Sequence, residues 1–352
     1  MPSPLKVLFV EPPPARRVGG IETALAGMAR GLVAWDTVVT RTSEVTRAAV
    51  VMADLIHFHG VWEFPHLRAR RWCRKAGKPF VASPHGMLEP WALQHRGWKK
   101  LPYFHLAEKR SLHAANAILA TSEEEARSLR QWFDPAQLRI LPLGTEVPQL
   151  PERESARQRV GLVADEFTVL FLSRCHEKKG LHLLIRALPE VARLRAKAIH
   201  LVIVGDGDRA YVEALRRETS TWSGNLRASW TGAIWGADKW DYLVAADLFC
   251  LPSFSENFGL AILESLLAGT PVITTSATPW QSLRGDLPVA LCEPDVATLT
   301  AALQAGVSAP TPSLATRDTT RATAIQRFNW STVGAHYAAM YRDVRSAHVD
   351  QH

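Results

Sequence analysis

The chain has 352 residues, 47% of them hydrophobic, a length that favours two globular domains over one. No stretch is apolar over the length of a transmembrane helix, and the residues before the first strand lack the pattern of a signal peptide. Four scattered cysteines without a Cys-x-x-Cys pair argue against a disulfide framework or a zinc site. We therefore expect a cytoplasmic protein with reduced thiols.

The net charge of +7 is concentrated in the first half of the chain. Residues 1–150 hold 20 Lys and Arg against 13 Asp and Glu, whereas the rest is neutral. Such charge can belong to a solvated helix face, or to a surface that meets anionic lipid or a phosphorylated acceptor. Nucleic acid is not expected, because no recognition motif accompanies the charge. The two densest clusters are Arg68, Arg70, Arg71, Arg74, Lys75 and Lys78, and Arg96, Lys99, Lys100, Lys109 and Arg110.

The first half reads as alternating strands and helices. A strand at Lys6–Val10 is followed by a helix over 21–33, and Ser122 with Glu125 forms a capping box at a later helix start. Further buried strands are predicted at Leu55–Phe58, Phe80–Ala82, Ala117–Ala120 and Arg139–Pro142.

The second half repeats this alternation after a polar, proline-bearing linker. Strands are predicted at Phe167–Leu172, Leu201–Val204, Arg227–Thr231, Leu248–Leu251 and Pro271–Thr274, and residues 310–318 read as a loop. The pattern predicts an α/β protein with two facing, doubly wound Rossmann-like domains and a ligand cleft between them. The predicted divisions are an N-terminal domain at 1–147, a linker at 148–165, a C-terminal domain at 166–329, and a helix and tail at 330–352 that returns toward the N-terminal domain.

Two carboxylates, Glu256 and Glu264, stand eight positions apart after the apolar run at 248–252. Glu256 is expected in a loop, and Glu264 two turns into a helix that Phe258 and Gly259 open. The amides of the helix start lie between the carboxylates and favour an anion. The segment therefore suits a ligand with hydroxyls at both ends and phosphates in the middle, as in a nucleotide sugar.

Other strand ends carry residues that suit the same ligand. Arg174 and Lys179 are placed to converge on a diphosphate, although a charged surface loop would look similar. Gly19 and Gly20 allow close approach of a ligand, but an empty Gly-Gly turn is equally ordinary. His85 follows a strand, as does His59, and a histidine in that position can face a cleft or simply be part of the core. In the Gly232–Trp235 turn, backbone groups and Ile234 could hold a nucleobase, with a simple turn as the alternative.

With these motifs together, the chain resembles the retaining glycosyltransferases of family 4 (glycosyl transferases group 1), which have the GT-B fold. The most specific stretches are Leu251–Gly259 with Glu264–Ile273, and Ser173–Gly180, which looks like the family's Arg-x4-Lys-Gly phosphate motif with Ser in place of a more usual Gly. Gly19–Glu22 and His85–Leu88 are similar to its N-terminal elements, and Ser83–Leu93 with Thr278–Trp280 look closest to a bacterial subgroup linked to surface polysaccharide.

The resemblance implies a role for each site residue. Glu256 would bind the donor sugar and favour positive charge at its anomeric carbon, and Glu264 would accept hydrogen bonds from the ribose. Arg174 and Lys179 would neutralise the leaving diphosphate, the task of a metal ion in other transferases, and His85 would contact the donor sugar. The other predicted donor-binding residues are Gly19, Gly20, Ile234, Asn257, Phe258, Gly259 and Leu260. No metal ligand and no cofactor is expected, since Asp206-Gly207-Asp208 falls at a turn on the base side.

The implied activity is a retaining, metal-independent hexosyltransferase. It would use a UDP- or GDP-sugar and glycosylate a saccharide or lipid-linked acceptor for cell-surface polysaccharide or lipopolysaccharide, in the cytoplasm or at the anionic inner membrane surface. No residue is a convincing nucleophile on the far face of the sugar, so a front-face mechanism is implied. A nucleotide-sugar epimerase, a sugar phosphorylase and a non-catalytic nucleotide-sugar-binding subunit are the alternatives; the intact Glu256, Glu264, Arg174, Lys179 and His85 argue against the last.

Overall fold

The computed structural model describes residues 3–13, 19–94, 101–146, 149–163, 165–195 and 197–350. The chain forms two compact units. The N-terminal unit comprises Met1–Glu146 with Arg327–His352, and the C-terminal unit comprises Val147–Gln326.

The N-terminal unit is built on a parallel sheet whose central strands are buried. Its described strands are Leu5–Val10 (β1), Thr37–Thr42 (β2), Leu55–His59 (β3), Phe80–Ser83 (β4), Ala117–Ala120 (β5) and Leu138–Ile140 (β6). They lie in the order β2-β1-β3-β4-β5-β6, and every pairing is parallel. Buried on both faces, the central strands read as continuous apolar runs, which is why the sequence predicted them.

Helices connect these strands. They are Gly19–Val33 (α1), Arg47–Met52 (α2), Phe64–Lys75 (α3), Pro90–Gln94 (α4), Lys109–Leu112 (α5) and Glu123–Leu129 (α6), with a turn of π-helix at Phe104–Glu108 leading into α5. Ser122 caps α6 as predicted, because its Oγ accepts a hydrogen bond from Glu125 N at 3.2 Å. The reciprocal half of the predicted capping box is wrong, because the Glu125 carboxylate accepts from Thr121 N and Gly86 N instead of Ser122 N.

The C-terminal unit contains a second parallel sheet. Its described strands are Phe167–Leu172 (β7), Ile199–Val204 (β8), Leu226–Gly232 (β9), Leu248–Leu251 (β10), Val272–Thr275 (β11) and Val289–Cys292 (β12), in the order β12-β11-β10-β7-β8-β9. Its helices are Arg153–Arg159 (α7), Leu181–Arg193 (α8), Arg209–Ser220 (α9), Lys239–Ala245 (α10), Leu260–Leu267 (α11), Trp280–Leu283 (α12), Val296–Ser308 (α13) and Leu314–Phe328 (α14). The predicted pair of doubly wound parallel sheets is confirmed.

Helix α14 corrects the prediction of a loop over 310–318. Its first turn is closed by Ser313, whose Oγ accepts a hydrogen bond from Thr316 N. Arg317 is buried and donates to carbonyl oxygens at the end of α10. The Pro-, Ser- and Thr-rich composition suggested a loop, but the cap by Ser313 and the buried guanidinium of Arg317 stabilise a helix instead.

The predicted linker at 148–165 contains helix α7, which packs on α10. Arg153 pairs with Asp247 at 2.6 Å, and Arg157 donates to the Ala245 carbonyl at 3.0 Å. These contacts make α7 part of the C-terminal unit.

The last helix of the chain, Trp330–Val349 (α15), belongs to the N-terminal unit and packs on α1. A Cβ at Gly27 of α1 would lie 2.2 Å from Nε1 of Trp330, so the two helices meet at a distance that only glycine permits. No described helix combines the length and the apolar character needed to cross a bilayer.

Candidate functional site

The C-terminal sheet reverses its winding between β7 and β10. From β7 the chain winds outward through β8 to β9, and it then returns to β10 on the other side and continues to β11 and β12. Ligands of open α/β sheets bind at such a switch point, beyond the carboxyl ends of the two strands. Both loops that leave this point carry predicted site residues, the loop at 173–179 and the loop at 252–259.

A buried ion pair joins these two loops. Lys179 Nζ lies 2.6 Å from Oε1 of Glu256, and Ser253 Oγ donates to the same oxygen at 2.7 Å. The Glu256 side chain is 8% exposed and that of Lys179 17%. The structure therefore brings together two residues that stand 77 positions apart in the sequence.

Backbone contacts hold the two loops in register. Phe254 N donates to the Lys178 carbonyl at 2.8 Å, and Gly180 adopts a φ of +69° directly against Pro252. A Cβ at position 180 would lie 2.0 Å from the Pro252 carbonyl oxygen. Only glycine satisfies both the left-handed backbone and the close approach.

The Glu256 carboxylate is held in its ionised form. Burial by itself would raise its pKa, but the ammonium group of Lys179 and the hydroxyl of Ser253 outweigh burial and lower the pKa below its ordinary value. A fixed negative charge results, and such a charge can stabilise a cation that develops nearby.

The loop then turns into helix α11 through a glycine. Gly259 is the N-cap of α11 with a φ of +78°, and the helix begins at Leu260, so Gly259 opens the helix as predicted and Phe258 lies one residue before the cap. Phe258 is buried, and its carbonyl oxygen accepts a hydrogen bond from Trp280 Nε1 at 2.8 Å. Asn257 is half-buried in the same loop.

Glu264, on the second turn of α11, has a partner that the sequence did not reveal. Lys239, the first residue of α10, places its Nζ 2.7 Å from Oε1 of Glu264. Both side chains are largely buried, at 18% and 9% exposure. Burial outweighs the lysine here, and the pKa of Glu264 is raised.

The remaining polar residues near β7 and β8 do not form buried ion pairs of this kind: Arg174 is exposed, and two aspartates bond to the backbone. Arg174 is solvent-exposed, unlike Lys179. Asp208 caps α9 by accepting from Tyr211 N, and Asp206 accepts from Gly207 N. Both aspartates of the Asp-Gly-Asp turn therefore bond to the backbone. Among the described residues, no cluster of three or more His, Cys, Asp or Glu is arranged to hold a metal ion.

In the N-terminal unit, His85 lies in the loop after β4, in a left-handed conformation with a φ of +53°. It is buried, and its Nε2 lies 3.1 Å from Nδ1 of His59, the last residue of β3. Burial lowers the pKa of His85 to about 4, so the ring is neutral near pH 7. The backbone beside it is fixed by Glu125, whose Oε1 accepts from Gly86 N at 2.6 Å.

A third histidine, His57, lies next to this pair and was not singled out from the sequence. Its Nδ1 is 2.8 Å from the Tyr341 hydroxyl of α15, and its Nε2 is 2.8 Å from Ser83 Oγ. The rings of His57 and His59 are 3.8 Å apart. Burial lowers the pKa values of both histidines. Repulsion from the neighbouring histidine rings, when these are protonated, lowers the pKa values further.

The last predicted donor-binding residues lie at loop and helix ends. Gly19 and Gly20 are the first residues of α1. Ile234 is half-buried in the loop that follows β9, next to Trp235, which is 73% exposed.

The structure divides the basic clusters. The prediction that Arg70 lies on the surface is wrong. Its side chain is 1% exposed and forms an ion pair with the buried Glu108 at 2.6 Å. Lys78 is half-buried and donates to the Ala53 carbonyl at 2.7 Å. The exposed members of the first cluster are Arg68, Arg71, Arg74 and Lys75. In the second, Lys109 is half-buried and Arg110 exposed, while Arg96, Lys99 and Lys100 lie outside the described residues.

Both halves of the sequence match models of known families. Residues 166–307 match "Glycosyl transferases group 1", and residues 44–147 match "Glycosyltransferase Family 4". A GDP-mannose-dependent α-(1-6)-phosphatidylinositol monomannoside mannosyltransferase of Mycolicibacterium smegmatis is 30% identical over 78% of this chain and 73% of its own length. A putative teichuronic acid biosynthesis glycosyltransferase, TuaC of Bacillus subtilis, is 33% identical over 66% of this chain and 55% of its own length.

Solved structures of similar fold cover nearly the whole chain. The Anabaena protein HepE, crystallised with UDP and glucose, superposes with a TM-score of 0.75 at 21% identity over 96% of this chain and all of its own. WaaG, a glycosyltransferase involved in lipopolysaccharide biosynthesis, gives a TM-score of 0.66 at 16% identity over 96% of this chain and 99% of its own. The likeness confirms the expected GT-B fold.

Proposed function

We propose, from the premise that this chain belongs to glycosyltransferase family 4, that it transfers a hexose from a UDP- or GDP-sugar to a hydroxyl group with retention of configuration and without a metal ion. The observation that carries this proposal is the buried Lys179–Glu256 pair at the switch point of the C-terminal sheet.

The pair and its surroundings suit the three parts of such a donor. Glu256 offers a fixed negative charge to the hexose, where positive charge develops as the glycosidic bond breaks. Lys179 and Arg174 supply cations for the diphosphate, and the start of α11 offers backbone amides. Glu264 offers carboxylate oxygen to the ribose. The two cations support metal independence, because they can take the charge that forms on the leaving group.

For the retention that we propose, the same arrangement supports a mechanism without a protein nucleophile. Glu256 is engaged by Lys179 and Ser253 on one oxygen, which suits it to electrostatic stabilisation rather than to attack on the anomeric carbon. We infer a front-face reaction in which the leaving phosphate takes the proton of the acceptor hydroxyl. The acceptor oxygen then bonds to the carbon from the side on which the phosphate leaves.

For the acceptor, we propose a saccharide or lipid-linked saccharide of the cell surface. Phosphatidylinositol monomannoside and teichuronic acid, in the names of two relatives, support this class of acceptor. The exposed basic residues of α3 support binding to an anionic membrane surface, where a lipid-linked acceptor would lie. Four buried, unpaired cysteines suit the reducing cytoplasmic side.

The donor can be tested with a panel of UDP- and GDP-sugars, measuring thermal stabilisation and slow hydrolysis with and without EDTA. We expect one donor to raise the melting temperature and to be hydrolysed equally well in both conditions, with release of the α-anomer from an α-linked donor. Absence of nucleotide binding or a strict metal requirement would contradict the proposal. Turnover that depends on inorganic phosphate would instead indicate a phosphorylase.

The membrane surface can be tested separately by sedimentation with phosphatidylglycerol vesicles at low salt. We expect the wild-type chain to sediment and the double variant Arg71→Glu/Arg74→Glu to stay in solution. A matched charge change at exposed Arg209 and Arg217 of α9 should have a smaller effect. Equal loss in the two double variants would show a response to net charge alone.

A further inference from the structure

The Lys239–Glu264 pair supports an inference about Lys239, a residue that lies outside the family motifs. Lys239 is absent from the Glu256–Glu264 and Ser173–Gly180 motifs, and it stands 25 positions before its partner. Its ammonium group nevertheless lies 2.7 Å from the carboxylate that we propose for the ribose.

The contact leaves half of the carboxylate available. Lys239 engages Oε1 of Glu264, and Oε2 accepts no hydrogen bond within the described part of the chain. Lys239 is also the one described cation close enough to affect the charge of this carboxyl. Without it, Glu264 would be a buried carboxylate with no counter-ion, a state that a protein avoids by taking up a proton.

The position of Lys239 connects two parts of the proposed donor site. It directly follows the loop at 233–238, which carries Ile234 and the exposed Trp235. That loop leaves β9 at Gly232 with a φ of +78° and turns again at Gly236 with a φ of +69°. The ion pair therefore links the loop of Ile234, which the sequence predicted as a contact for the nucleobase, to the carboxylate that we propose for the ribose.

We propose that Lys239 is a positioning residue for donor recognition: it keeps Glu264 charged and oriented, with Oε2 directed to a ribose hydroxyl. This inference rests on the proposed function and adds a specificity role to it. Discrimination between ribo- and 2′-deoxyribonucleotides should depend on Lys239, while the steps at the sugar should not.

The test is calorimetric binding of UDP, GDP and their 2′-deoxy forms to the wild-type chain and its variants. We expect the wild-type chain to bind the ribonucleotide about tenfold more tightly than its deoxy form, since a hydroxyl bonded to a charged acceptor is lost. In Lys239→Met the ribonucleotide should weaken about tenfold and the deoxy form less than twofold, so that the ratio falls toward one. Lys239→Arg should keep most of the ratio.

Two controls separate positioning from damage to the fold. Lys197→Met removes an exposed lysine of the same unit and should leave the ratio unchanged. The double variant Lys239→Met/Glu264→Gln should discriminate no worse than either single variant, because both act on one contact.

Distinct outcomes would overturn the inference. An unchanged ratio in Lys239→Met, or equal weakening of both nucleotides, would remove Lys239 from ribose recognition and leave the proposed function intact. A wild-type chain that binds neither UDP nor GDP would instead refute the proposed function and, with it, this inference.

Discussion

The C-terminal unit holds two buried lysine–glutamate pairs that have nearly the same geometry and different electrostatics. The Nζ–Oε1 distance is 2.6 Å for Lys179–Glu256 and 2.7 Å for Lys239–Glu264, and both carboxylates are less than one-tenth exposed. Burial opposes charge in both, yet the pKa of Glu256 is lowered and that of Glu264 is raised.

The difference lies in the number of groups that support each carboxylate. Glu256 accepts a hydrogen bond from Ser253 and has Lys178 nearby as a second cation, whereas Lys239 is the one supporting group of Glu264 among the described residues. An ion pair at a given distance therefore does not fix the charge of a buried carboxylate; the complete set of neighbours does. A permanent charge suits stabilisation of a transition state, and a conditional charge suits reversible binding.

The largest expected effect comes from Glu256→Gln, which removes the charge and keeps the shape. Because the lost charge acts on the developing cation, the turnover number should fall about 10³-fold, while the dissociation constant of the donor changes less than about threefold. Single-turnover rates and calorimetry on the same variant measure the two quantities. A variant that loses donor affinity and keeps its turnover number would reverse the roles of the two pairs.

A smaller effect, on stability, tests the backbone that holds the first pair together. Gly180→Ala places a Cβ 2.0 Å from the Pro252 carbonyl oxygen, so the free energy of unfolding should fall by about 2–4 kcal/mol. Gly224→Ala is the matched control, because its φ of +71° is similar and no atom lies within 4 Å of the added Cβ. That control should lose about 1 kcal/mol in urea unfolding. Equal losses would show that the left-handed backbone, rather than contact with Pro252, requires glycine at 180.

The sequence predicted the first pair better than the second. Lys179 and Glu256 each follow an apolar run that reads as a buried strand, and the carboxyl ends of parallel strands meet at one edge of a sheet. Lys239 begins a helix after an exposed loop, and nothing in its neighbourhood distinguishes it from other lysines. Its role depends on how α10 packs on α11, which is a tertiary contact without a local pattern.

The same limit applies in the N-terminal unit. The histidine at position 85 was predicted from its place after a strand, but its support by Glu125 spans 39 residues and was interpreted only as a helix cap. The six-residue cluster around Arg70 looked uniformly exposed, yet α3 turns Arg70 inward to Glu108. Helical periodicity predicts that some member of such a cluster faces the core. Which member does so depends on the position of a buried counter-ion, here Glu108.

The next effect is confined to binding and concerns the second pair. Glu264→Gln keeps a hydrogen-bond acceptor but loses the charge that strengthens it, so the dissociation constant of the donor should rise about tenfold. The turnover number at saturating donor should stay within about threefold of the wild-type value. Steady-state kinetics over a range of donor concentrations separate the two. An equal fall in turnover would mean that both pairs act on the transition state.

The smallest effect is a pH dependence that only the second pair should show. Because the pKa of Glu264 is raised, donor affinity should be complete above that pKa and weaken as the pH falls through it, whereas Glu256, with its lowered pKa, stays ionised over that range. The stability contribution has the opposite sign, since ionising Glu264 costs more in the folded chain than in the unfolded one, and this cost in the free energy of unfolding appears as the pH rises.

Calorimetry of donor binding from neutral to mildly acidic pH measures the pH dependence of donor affinity. A free nucleoside diphosphate titrates at about pH 6 itself, so an intact nucleotide sugar is the proper ligand, and Glu264→Gln supplies the baseline. We expect a few-fold loss of affinity in the wild-type chain and a flat profile in that variant. If both profiles fall in parallel, the charge of Glu264 is as fixed as that of Glu256, and the two pairs differ in position alone.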